Sequence, residues 1–119
     1  MSKLYTPYEE GAMSELVQKL SIGQHRVSAF VHPEKSIDAF KRCVEDGYVH
    51  VRFPDTRGGT TLGITLDRGL TDMSGANFES NEGRVTLSGT LTLDYVPVRC
   101  EAVLTLPELE GTGRLVVEA

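Results

Sequence analysis

The chain contains little that would announce a compartment or a reaction. It has only two cysteines, Cys43 and Cys100, too few for a disulfide scaffold. Each falls in an apolar stretch, so both are expected to be reduced and to serve as small hydrophobic side chains. No apolar run approaches the length that crosses a bilayer, and Met1 to Glu10 lack the apolar core of a signal peptide. The expected location is therefore cytoplasmic. Positive charge is also scarce: 12 Lys and Arg stand against 17 Asp and Glu, a net charge of -5. With no local basic cluster to reverse that sign, neither a nucleic acid nor a membrane surface is an expected partner. Internal repeats and linkers are absent too, and no Gly-x-Ser-x-Gly word marks a nucleophile.

What is present reads as one ordinary globular domain of 119 residues, 39% apolar and 24% charged. Residues 1–10 form a possible N-terminal tail. Met13, Leu16, Val17 and Leu20 lie three and four apart between Gly11 and Ser21, the spacing of one apolar helix face. Gln24 to His32 carries Val27, Ala29, Phe30 and Val31 and reads as a strand that ends at Pro33. Pro33 opens a second helix with Ile37, Phe40 and Val44 on one face and Gly47 as its stop. Tyr48 to Phe53 alternates Val49, Val51 and Phe53 with Tyr48, His50 and Arg52, so a strand follows the helix directly. A strand, helix and strand in that order suggest a parallel crossover.

Beyond the turn at Pro54 to Gly59 the chain alternates with a period of two. Leu62, Ile64 and Leu66 define one strand face, and Val85, Leu87, Leu91, Leu93 and Tyr95 a second, with Gly89 inward and predicting a bulge or bend. Val98 to Leu106 repeats the alternation, and Arg114 to Glu118 forms a last short strand. The predicted fold is α+β: two N-terminal helices packed on one face of a curved, mainly antiparallel sheet of five or six strands. Its opposite face, with Thr61, Thr65, Arg84, Thr86, Thr90, Thr92, Arg99 and Glu101, would be a flat polar surface.

Candidate chemistry is sparse. His25, His32 and His50 lack the spacing of a metal motif, so no metal and no cofactor is expected. The Gly-rich turn holding Asp55 and Arg57 lacks the lysine and following helix of a phosphate-binding loop. Carboxylates at Asp55, Asp67, Asp72 and Glu79 surround it, and the least implausible catalytic group is Asp55, Arg57, Asp67 and His50. Phe30, Phe40, Phe53, Leu70, Met73 and Phe78 are candidates to line an apolar cleft between helices and sheet. Tyr5 and Tyr8 in the tail, and Leu115, Val116 and Val117 in the last strand, are candidate interface residues. The last strand is expected either to lie inside the sheet or to pair with another chain.

Three functions follow in order. The first is a non-enzymatic interaction, accessory or assembly protein that binds another protein or a second copy of itself through a polar sheet face, sheet edge or loops. The alternative is a small-molecule-binding module. The third is a small enzyme using loop carboxylates.

Overall fold

The computed structural model describes residues 15–31, 36–56 and 58–118. In chain order the elements are α1 (Glu15–Leu20), β1 (His25–Phe30), α2 (Ile37–Asp46), β2 (Tyr48–Phe53), β3 (Thr60–Leu66), β4 (Ala76–Asn77), β5 (Glu82–Leu93), β6 (Val96–Thr105) and β7 (Glu110–Val117). The alternating stretches became strands because each buries one side: Val49, Val51 and Phe53 on β2, Leu62, Ile64 and Leu66 on β3, and Val98, Cys100, Ala102 and Leu104 on β6. Burying each large apolar side chain contributes roughly 1.5–3 kcal/mol.

The strands run β3-β2-β1-β7-β6-β5, every pairing is antiparallel, and β5 returns to β3 through Thr65↔Thr90 and Leu66↔Gly89. Six strands therefore close into a barrel, with β4 appended to the start of β5. The interior is filled by side chains, as expected of so small a barrel: Phe53, Ile64, Leu87, Leu104 and Leu115 are sealed inside.

Closure corrects the predicted position of the helices. They do not share one face of an open sheet. α1 sits where β1 begins and β2 ends: His25 Nε2 lies 2.9 Å from the carbonyl oxygens of both Lys19 and Ile22, and Lys19 Nζ donates to the Asp55 carbonyl. α2 sits at the other end, where the Leu66 amide donates to the Gly47 carbonyl and Arg68 to that of Glu45. Val17 and Leu20 of α1, and Phe40 and Val44 of α2, are driven into the core. The Ser36 hydroxyl accepts from the Ala39 amide as the N-cap of α2, and Gly47 at φ 86° ends it. The part of the first predicted helix before Glu15, together with His32 and Pro33, lies outside the described residues.

Other local expectations are also corrected. β1 and β2 pair antiparallel, Ala29 against Val51, so no parallel crossover forms. At Gly89 there is no bulge, because the register with β6 runs unbroken from Ser88↔Glu101 to Thr90↔Arg99. Gly89 is instead where the barrel closes: a Cβ there would stand 2.6 Å from the Thr65 carbonyl oxygen. Tyr95 does not point inward but stands 99% exposed at the tip of the β5–β6 hairpin. The last strand begins at Glu110, earlier than predicted, and lies between β1 and β6, paired with both over residues 110–113 and with β6 alone over residues 114–117.

Candidate functional site

With the interior filled, recognition falls to the outside of the barrel, and two regions stand out. β1, β2 and β3 make up half of the strand ring, and β5, β6 and β7 the other half. The outward residues of β1 are Arg26, Ser28 and Phe30, since Val27 and Ala29 alternate inward. Cross-strand register then builds rungs: Phe30 faces His50, which faces Gly63, and Ser28 faces Arg52, which faces Thr61.

The first rung is aromatic. The Phe30 and His50 rings meet edge to face at 6.4 Å, and the Tyr48 and His50 rings at 5.2 Å. Phe30 and Tyr48 remain 47% and 48% exposed. Tyr48 lies over Gly63, where any Cβ would collide with its hydroxyl, so part of this cluster covers a gap in the sheet. Nothing comparable covers Phe30 among the described residues. Below the aromatic rung, Arg52 donates to Thr61 Oγ1, and Arg26 grips the Asp55 carboxylate with two hydrogen bonds of 2.7 and 3.1 Å. That bidentate contact holds the Asp55 carboxyl below its ordinary value and raises Arg26.

The second region is a groove of about 360 Å³ over the outer face of β5, β6 and β7. The turn after β3 forms one wall, with Leu70 exposed on it. Beside the groove, Arg99 is held by Ser88 Oγ at 2.9 Å and lies 3.6 and 3.7 Å from the carboxylates of Asp67 and Glu118.

The structure scatters the candidate catalytic group. Asp55 lies in the turn before β3 and is occupied by Arg26. Asp67 follows the far end of β3, about 20 Å away at the usual rise of a strand. His50 is on the outer aromatic rung, and Arg57 lies outside the described residues. Asp72 accepts from the amide and hydroxyl of Ser74, which lowers its carboxyl pKa. His25 is tied to α1 at the opposite end of β1 from Phe30, the residue that faces His50.

The six proposed cleft residues do not share a cleft. Phe40 and Phe53 are fully buried in the core, Met73 and Phe78 are partly buried against it with Lys41 Nζ 5.4 Å from the Phe78 ring centre, and Phe30 and Leu70 are exposed on different sides. Leu115 is buried, Val116 half-buried and Val117 exposed on β7, while Tyr5 and Tyr8 lie outside the described residues. The polar residues expected on one flat surface wrap around a convex one instead, because β3, β5 and β6 belong to a closed ring.

Cys43 is half-buried on α2. Cys100 is buried within the barrel, where desolvation pushes its thiol up to about 12 and leaves it inert as a nucleophile. Among the described residues no three histidine, cysteine or acidic side chains gather as metal ligands, and no helix is long and apolar enough to cross a membrane.

Sequence reasoning placed Tyr48, His50 and Arg52 on one strand face but assigned Phe30 to a cleft. The alternation of Arg26, Ser28 and Phe30 carried the information that Phe30 points outward. The groove had no such trace, since it joins residues from β5, β6, β7, the turn after β3 and the residue before β1. No protein-family model matches this chain, and a comparison with curated proteins finds no match.

Proposed function

We propose that the protein is a non-catalytic binding module that docks a partner protein on the outer face of β1, β2 and β3. The observation that carries this reading is the half-exposed rung of Phe30, His50 and Tyr48. Aromatic side chains beside arginine are the residue types that anchor protein interfaces. Two large apolar rings left open to water on a rigid β-surface are a standing source of binding free energy. Arg52 at the edge of the cluster offers hydrogen bonds to a partner carboxylate or carbonyl. Sheet-edge addition is less favoured, because every strand of the barrel has neighbours on both sides and only short end segments, such as residues 60–64 of β3, 91–93 of β5 and 114–117 of β7, pair on one side alone among the described residues.

A photo-crosslinking phenylalanine analogue placed at position 48, with position 105 on β6, three strands from β2 in either direction round the ring, as control, tests this in the cells that make the protein. One protein is expected to be captured from position 48 and not from position 105, and Phe30→Ser should abolish the adduct without lowering the melting temperature. Equal capture from both positions, or none from position 48, would overturn the reading. Capture of a second copy of the chain would identify the partner as itself. A second reading, small-molecule binding, is favoured by the groove on the far side.

A further inference from the structure

The groove over β5, β6 and β7 has polar chemistry that the fold does not consume. Ser88, Glu101 and Arg114 form one rung across the three strands and face outward. Directly opposed residues on antiparallel strands carry their Cβ atoms about 4.5–5.5 Å apart, so an acid and a base lie side by side on the groove floor. They do not pair with each other. Arg114 leans away toward the end of α1, where one terminal nitrogen donates to the Ser21 carbonyl at 3.3 Å. Its Nε is buried without a hydrogen-bond partner, as is the Ser21 hydroxyl beside it. The Glu101 side chain is exposed and makes no hydrogen bond or ion pair among the described residues. An unmet buried N–H costs on the order of 1–3 kcal/mol.

The wall of the groove is apolar and rigid. Leu70 stands 55% exposed on the turn after β3. That turn is clamped to β5: the Asp67 amide donates to the Ser88 carbonyl at 2.8 Å, the Thr71 hydroxyl donates to the same carbonyl at 3.1 Å, and Asp72 and Thr86 exchange two backbone hydrogen bonds of 2.8 Å. Leu70 and Val103 therefore keep a fixed position relative to the two charges, so little ordering is needed on binding. The volume, about 360 Å³, is at the small end of the range for ligand sites.

We propose that this groove binds a small zwitterion of the free α-amino-acid type with an apolar side chain. Its carboxylate is received by Arg114, its ammonium by Glu101, and its side chain lies against Leu70 and Val103. The terminal guanidinium N–H groups of Arg114 that Ser21 does not take, and a carboxylate at the neighbouring position, match the two charged groups of such a molecule, and their opposite signs disfavour an anion or a cation alone.

The test is an amide-resolved NMR titration of the full chain with three probes: L-leucine, L-leucinamide, which lacks the carboxylate, and 4-methylpentanoate, which lacks the ammonium. Leucine is expected to give saturable shifts at Ser88, Glu101 and Arg114, with each single-charge probe about tenfold weaker or more. Glu101→Gln, an exposed substitution whose spectrum also reports the fold, should weaken leucine about tenfold and leave 4-methylpentanoate unchanged. Arg114→Gln should abolish binding of both. Absence of saturable shifts with leucine, equal binding of the three probes, or undiminished leucine affinity in Glu101→Gln would each overturn the assignment. Because the aromatic rung lies on the other half of the barrel, none of these outcomes bears on partner docking there.

Discussion

At the scale of single residues, the ion pair of Arg26 and Asp55 shows how position rather than residue type sets chemistry. Asp55 looked available for acid-base work beside a glycine-rich turn, yet antiparallel pairing places Arg26 of β1 within 2.7 Å of it. Its carboxyl pKa is lowered first by the hydrogen bonds from Arg26, against a desolvation effect of opposite sign. A folded value below the unfolded one means that stability from this contact is present above the ordinary carboxylate pKa of about 3.9 and is lost as pH falls through the lowered value. Arg26→Gln is therefore expected to bring the Asp55 titration, followed by side-chain carboxyl NMR, back toward its ordinary value. The stability difference from the parent chain should be present at neutral pH and vanish in strong acid. A difference that grows on acidification would show that the pair has another role.

At the scale of the element, the β5–β6 hairpin joins Leu93 and Val96 through Asp94 and Tyr95, both at positive φ, 50° and 68°. Positive φ at both central positions is the mark of a type I′ turn, whose twist suits a hairpin but whose favoured residues are asparagine and glycine. Alternation alone ran the strand through Tyr95, because the aspartate and tyrosine give a weaker turn signal than Asn-Gly. Tyr95 is 99% exposed, so its ring offsets none of the left-handed strain. Tyr95→Asn is expected to raise unfolding stability by about 0.5–1 kcal/mol in urea denaturation. A loss of stability would reveal a contact made by the tyrosine ring.

At the scale of the whole molecule, β7 holds the two halves of the barrel together. It pairs with β1 from His25↔Gly113 to Ser28↔Glu110 and with β6 from Val98↔Val117 to Thr105↔Glu110. Leu115 is sealed in the core between them. Truncation before Glu110, which removes the partners of both β1 and β6, is expected to remove amide exchange protection from the two strands together and to abolish cooperative unfolding. A truncated chain that keeps protection in both strands would show that β7 is dispensable and that the barrel closes by another route.

The sequence by itself determined most of the helix and strand stretches, though not β4 or the first half of β7, and, for most strands, which side faces inward. Those are local properties: the period of apolar residues, caps such as Ser36 and Gly47, and the alternation that put Val85 and Leu87 inside and Thr86 outside. Only the tertiary structure decided that the sheet closes, that the helices plug its two ends, and that the last strand is internal. Closure depends on Gly89 of β5 meeting the backbone of β3 at Thr65, a contact between segments with no shared local pattern. The same reason separates the two candidate surfaces in legibility. Tyr48, His50 and Arg52 share one strand and could be read along it, whereas Arg114, Glu101 and Leu70 become neighbours only when strand order and register bring them to the same side of the ring.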